Sequence, residues 1–162
     1  MVVFVIGLPG SGKSYFAKEL SLKISAVYLS SDILRKNLIN SPQYTAEEKQ
    51  KVYHHLFEQL ERVVRMGKTC VVDATFYKSH LRQKFMDMLI GRGIKYEIIE
   101  VEASDKDIKK RLSKKRQDSD ADYEVYLSIR KGWEPVKDKK LGLNSSEQSL
   151  EEMIAEAVAY FG

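Results

Sequence analysis

Apolar and polar positions along this chain fall into blocks whose period switches repeatedly between strand and helix. Val2 to Ile6 is apolar without interruption and mostly β-branched, which suits a short strand buried on both faces of a parallel sheet. Residues 13 to 24 then place Phe16, Leu20 and Ile24 at helical spacing, and Ala26 to Ser30 reads as a second strand, followed by a short helix over 33 to 40. Residues 46 to 66 predict a long amphipathic helix with Tyr53, Leu56, Leu60 and Val63 or Val64 on one face, closed by Gly67. Thr69 to Ala74 is a third strand, 79 to 92 a helix carrying Leu81, Phe85 and Met88, and Lys95 to Val101 a fourth strand. A weaker fifth strand near Lys139 to Leu143 precedes a helix striped by Leu150, Ile154, Ala157 or Val158, and Phe161, for which Ser145 and Gln148 have the spacing of a capping pair. Strand followed by helix, repeated, predicts an α/β fold of three α/β/α layers around a parallel sheet.

One segment breaks the alternation. Residues 104 to 138 are charged, poor in aliphatics and helical by propensity, so they are expected to contribute little to a core. They read as two short helices, about 105 to 117 and 120 to 131, forming a lid over the carboxyl ends of the strands, where open α/β sheets bind ligands. Within them KKRLSKKR, residues 109 to 116, has Lys or Arg at six of eight positions, which suits either a solvated helix face or an anionic ligand opposite it.

Length and composition add bounds. At 162 residues, 43% hydrophobic and with a net charge of +4, the chain is expected to form one domain spanning 1 to 162, with one substantial core and a modest basic bias. The apolar opening is too short and lacks a basic leader for a secretory signal, and no apolar run reaches membrane-spanning length. A lone Cys70 precludes an internal disulfide; it is expected to be a small core residue rather than a nucleophile. A cytoplasmic monomer with no membrane association and no obligate protein partner is the expectation.

The chemistry begins at GLPGSGKS, residues 7 to 14, set between the first strand and the first helix. In this spacing Gly7, Gly10 and Gly12 free the backbone to turn its N–H groups toward one concavity, and the helix N-terminus behind it favours negative charge. Pro9 stiffens the loop. Lys13 is expected to reach the β- and γ-phosphates of a nucleoside triphosphate, and Ser14 to offer its hydroxyl to Mg²⁺. Asp73 closes the third strand, either starting a turn or standing beside that Mg²⁺, with Thr75 at the same edge. Asp32 is placed at the end of the second strand, as the cap of the following helix, as the base that takes a proton from an acceptor hydroxyl, or as both. Arg35, three residues on, shares its side of the helix and suits an anionic acceptor. Arg111 and Arg116 are the lid cations expected to close on the phosphoryl group being transferred.

These residues together resemble the small P-loop kinases of the polynucleotide 5′-kinase and zeta-toxin type, often described as AAA-type ATP-binding domains. GLPGSGKS, SSDILRK, VVDATF, KRLSKKRQDSDAD and KGWEP match that group in order and spacing and cover nearly the whole chain. The resemblance implies five strands in the order 2-3-1-4-5 with a lid between the fourth and fifth. It implies ATP and Mg²⁺ as cofactors, with Lys13, Asp32, Arg35 and Arg116 catalytic and Ser14 and Asp73 at the metal. Nucleotide contacts are expected from Gly7, Pro9, Gly10, Ser11, Gly12, Lys13, Ser14 and Tyr15, with Arg111 and Arg116. In polynucleotide kinases of this type the two lid arginines tend to be four residues apart, whereas here they are five apart with Lys114 and Lys115 between them.

The implied activity is ATP-dependent phosphorylation of a hydroxyl, first of all the 5′-OH of a polynucleotide. The alternatives are a small-molecule kinase of the gluconate, shikimate or adenylylsulfate type, and a nucleotide-dependent switch whose output is hydrolysis. His54, His55 and His80 fall on predicted helices without metal-ligand spacing around them, and Arg82 is open to substrate contact or simple exposure.

Overall fold

The structure is a computed structural model that describes residues 1–114 and 122–162. Its elements run β1 (Val2–Ile6), α1 (Lys13–Lys23), β2 (Val27–Ser30), α2 (Ser31–Leu38), α3 (Ala46–Arg65), β3 (Cys70–Asp73), α4 (Ser79–Ile90), β4 (Tyr96–Glu102), α5 (Asp105–Leu112), α6 (Tyr123–Lys131), β5 (Leu141–Asn144) and α7 (Leu150–Phe161). Every strand lies within two residues of where the hydrophobic pattern puts it. The five strands are parallel in the order β2-β3-β1-β4-β5, as the resemblance implies.

All five residues of β1 are buried, because helices cover both faces of the sheet centre. Side chains alternate across it. Val2, Phe4 and Ile6 join Cys70, Val72 and Ile98 in a core closed by Tyr53, Leu56 and Leu60 of α3 and by Phe85 and Leu89 of α4. Val3 and Val5 join Val71, Ile99, Val101 and Leu143 in a second core closed by Phe16, Ala17 and Leu20 of α1 and by Met153 and Ala157 of α7. Each such side chain removed from water contributes about 1.5–3 kcal/mol, so the two cores fix the layers and thereby the strand ends.

Register matters more for function than depth of burial. Val5 pairs with Asp73, and Asp73 with Ser30, so the carboxyl ends of β1, β3 and β2 finish level with one another. The chain leaves each of these ends at the same edge of the sheet, and the candidate chemistry collects there.

The charged segment departs from expectation. Its few apolar residues are not spare: Ile108, Leu112 and Tyr126 are buried in a third cluster with Leu8 of the glycine loop, and Val136 enters the core on the α3 and α4 face. The reason is packing against the loop, which sequence spacing within the segment does not reveal. The predicted helix ends between residues 115 and 121 lie outside the described residues.

Candidate active site

The turn from β1 into α1 is shaped by its glycines. Gly12 caps α1 at φ 91° with no side-chain hydrogen bond, which leaves the first N–H groups of the helix available to an anion. At Gly7 a Cβ would run into the Val101 carbonyl oxygen, so the loop passes against β4 only without a side chain. The Ser11 N–H donates to the Leu8 carbonyl at 3.1 Å and closes the turn, while the buried Ser11 hydroxyl has no hydrogen-bond partner. Lys13 is 6% exposed and lines, with Pro9, a cleft shared with Asp32 and Arg35. Tyr15 sits instead on the outer face of α1, 67% exposed and outside the described clefts.

Asp73 is buried at the end of β3. Tyr28 donates to its Oδ2 at 2.7 Å, and its Oδ1 is buried without a partner. Burial pushes the carboxyl above its ordinary range, opposed first by the nearby Lys13 charge and also by the Tyr28 and Ser14 hydroxyls; the Asp32 charge pushes the same way as burial. The resulting set, a half-satisfied carboxylate beside a serine hydroxyl and a phosphate loop, fits Mg²⁺. Such an ion takes one or two carboxylates and fills its remaining positions with water and phosphate oxygens. Among the described residues no group of three or more His, Cys, Asp or Glu is arranged to hold a metal.

Asp32 corrects the sequence reading in detail. It neither ends β2 nor caps the helix: β2 stops at Ser30, and the Ser30 hydroxyl accepts from the Ile33 N–H as the cap of α2. Serine takes the capping role because α2 begins at Ser31, directly after the last residue of β2 and one position before Asp32. Asp32, relieved of it, lies in the first turn of α2 and lines the cleft with Lys13. Arg35 follows one turn later on the same cleft, 6% exposed, with Nε and Nη1 buried and making no hydrogen bond. Its guanidinium stacks 4.5 Å from the centre of the Tyr44 ring. A buried guanidinium without an acceptor is costly and uncommon, which marks the cleft as a place for an anion.

Two loops hold that cleft in shape. Glu48 accepts from the Gln43 and Tyr44 N–H groups, at 3.0 and 2.7 Å, and Thr45 caps α3, so the loop before α3 presents Tyr44 to Arg35. Phe76 is in the left-handed region at φ 49° and fully buried. Its N–H donates to the Tyr53 hydroxyl at 2.8 Å and its carbonyl accepts from Arg82 at 2.6 Å, pinning a strained residue between Thr75 and Tyr77, which both line the cleft. Arg82 is therefore neither substrate contact nor exposed charge: it is 4% exposed and also donates to the carbonyls of Glu134 and Pro135.

Arg111 of α5 reaches the phosphate loop from outside. Its Nη1 donates to the Gly10 carbonyl at 3.0 Å and to the Ser145 hydroxyl at 2.9 Å, and the Ser145 hydroxyl donates to the Ser11 carbonyl at 2.5 Å. Ser145 thus joins lid, loop and the turn after β5, and it does not cap α7. That cap is Ser149, in a reciprocal pair with Glu152, while the Gln148 side chain accepts from the Asn144 N–H. A basic cleft of about 280 Å³ opens here between Lys110, Arg111 and Lys114 on one wall and Ser145 and Ser146 on the other. Ile129 of α6 covers the cleft at Asp32, as a lid does. Arg116, the second lid arginine, lies outside the described residues. His54 and His55 pair with Glu58 on the surface of α3, and burial raises the Cys70 thiol to about 12, so it is an inert core group.

The structure thus brings together Lys13, Ser14, Asp32, Arg35 and Asp73 as expected, and adds Tyr28, Tyr44 and Ser145. Tyr28 falls inside a strand pattern, and no spacing in the sequence marks it as the partner of Asp73. Ser145 matched a cap more readily than a loop contact.

A parallel sheet of this order, with a glycine loop after its central strand, Asp73 at the end of the neighbouring β3 and Asp32 in the first turn after β2, defines the P-loop kinase fold. The chain belongs to the AAA domain family, whose model matches residues 2–135. No curated protein matches it in sequence. Among solved structures, an unliganded sugar kinase from Janibacter sp. HTCC2649 superposes with a TM-score of 0.75 at 17% identity, covering 99% of this chain and 93% of that one. The Mycobacterium tuberculosis APS kinase CysC in complex with AMPPNP and APS gives 0.74 at 19% identity, over 99% and 96%. Kti12 from Chaetomium thermophilum in complex with ADP-AlF3 gives 0.72 at 16% identity, over 98% of each chain. At these identities the likeness is one of fold.

Proposed function

We propose that the chain is an ATP-dependent kinase that transfers the γ-phosphoryl group to a hydroxyl, and that the hydroxyl is the 5′-OH of a polynucleotide. The observation that carries this reading is the cleft in which Asp32 and a buried, unpartnered Arg35 share walls with Lys13. Asp32 accepts the acceptor's proton as its oxygen bonds to the γ-phosphorus, the bond to the ADP oxygen breaks, and Lys13 with the α1 N-terminus stabilises the charge on the phosphates. Ser14 and Asp73 would hold Mg²⁺, which when bound would further neutralise the phosphate charge. Arg35 binds the phosphate next to the reacting sugar, a role for which its fork geometry and missing acceptor suit it. Lys110, Arg111 and Lys114 with Ser145 flank the nucleotide beside Gly12.

A small-molecule acceptor is the second reading, favoured by the sugar and APS kinases that share the fold. One experiment tests the transferase reading itself. Asp32→Asn is expected to keep ATP affinity by calorimetry and to lose roughly 10²- to 10⁴-fold in transfer of labelled phosphate to 5′-OH oligonucleotides, sugars or nucleosides. A variant that hydrolyses ATP like the parent, with no acceptor used by either, points to a switch instead.

A further inference from the structure

Beyond Tyr77 the acceptor cleft opens into a second, larger space. The N-terminal halves of α3 and α4 diverge around a groove of about 690 Å³, within the roughly 300–1,000 Å³ typical of ligand sites. Leu81 and Tyr77 give it partly exposed apolar surface above the buried Tyr53 and Phe85 rings, and Lys49, Lys51 and Lys84 stand along its rims. None of these three lysines has an ion-pair partner among the described residues, although Lys49 lies 5.1 Å from the Tyr77 ring centre and Lys84 4.9 Å from that of Phe57. Glu47 is the only carboxylate among the described lining residues. Lys49, Tyr53 and Tyr77 line both spaces, so the groove continues the cleft.

We propose that this groove is the track for a single nucleic-acid strand running away from the hydroxyl at Asp32; the inference rests on the kinase reading with a 5′-OH acceptor. The cleft beside Arg35 holds about 30 Å³, so an acceptor reaching Asp32 extends beyond it, and the adjoining groove lined by the lysines continues it. A partly exposed tyrosine ring, Tyr77, beside cations that have no carboxylate partner among the described residues can stack a base and neutralise phosphates. A duplex keeps its base faces inside and has none to lay against the Tyr77 ring.

The test compares wild type with a Lys51→Glu, Lys84→Glu double variant, both lysines being solvent-exposed. A nucleoside 3′-phosphate and 5′-OH oligonucleotides of increasing length serve as acceptors, and a 3′-labelled oligonucleotide reports binding by anisotropy without any need for transfer. Wild type is expected to show a KM that falls with acceptor length, and the variant to lose that dependence and bind the oligonucleotide at least tenfold more weakly. Its salt slope is expected to be shallower by about 0.7 for each lysine removed. Equal KM values for short and long acceptors in wild type overturn the groove, as does an oligonucleotide affinity that charge reversal leaves unchanged, or equal competition by an acidic peptide. Lysine-dependent binding without phosphorylation upholds the groove and removes the 5′-OH acceptor; phosphorylation indifferent to both lysines does the reverse.

Discussion

The two oxygens of Asp73 stand in different situations, one receiving the Tyr28 hydroxyl and the other buried without a hydrogen bond, near the Lys13 charge and the Ser14 hydroxyl. Such a group weakens the protein in order to be ready for its ligand. The sign follows from its carboxyl being pushed up in the folded state. The folded form holds the proton more tightly than the unfolded form, so this residue's favourable contribution is full below the ordinary value of 3.8 and is lost as pH rises toward the folded value. Asp73→Asn is therefore expected to raise the melting temperature of the nucleotide-free protein at neutral pH. The gain should shrink to nothing as pH falls through 3.8, while Mg²⁺-dependent ATP binding is lost at neutral pH. Thermal melts across pH check the first and calorimetry the second. A variant less stable than wild type at every pH would mean that burial is not what governs this carboxyl.

At the scale of elements, the cleft is held by contacts between α3, the loop after β3 and α4. Phe76 keeps a left-handed backbone only because Tyr53 and Arg82 bind its N–H and carbonyl. Tyr53→Phe removes one of these and leaves a buried N–H unsatisfied, so it is expected to cost about 1–3 kcal/mol in a denaturant titration. Because Thr75 and Tyr77 ride on the same turn, the acceptor KM should rise more than the ATP KM. A loss confined to stability would mean that the turn holds its shape without the hydroxyl.

Across the whole molecule, the glycine loop is gripped from two distant parts of the chain. Arg111 from the lid and Ser145 from the turn after β5 bind each other, and between them the carbonyls of Gly10 and Ser11. If they act as one latch, Arg111→Ala and Ser145→Ala should each weaken ATP binding, and the double variant should lose less than the sum. The coupling energy expected for groups in one hydrogen-bonded network is about 0.5–3 kcal/mol. Additive losses would make them independent contacts with the loop.

Much of this architecture was legible from residue order alone. Buried strands of one hydrophobic run, amphipathic helices of one period and a glycine loop between them are local patterns, and local patterns report local geometry: β1 and the buried face of α3 lie where they were read. Lys13, Ser14, Asp32, Arg35 and Asp73 were legible for the same reason, since each sits at a fixed distance from a strand end or within a short motif. What neighbours each of them across the sheet was not. Tyr28 reaches Asp73 because β2 pairs with β3, Ser145 meets Ser11 because the turn after β5 folds back on the loop, and Arg82 is buried because the chain after α6 returns over α4. Even the capping of α2 by Ser30 rather than Asp32 was decided by where β2 stops. Hydrogen bonds between residues far apart in the chain depend on strand order and register, and these arise only when the separate hydrophobic faces find one another in the folded core.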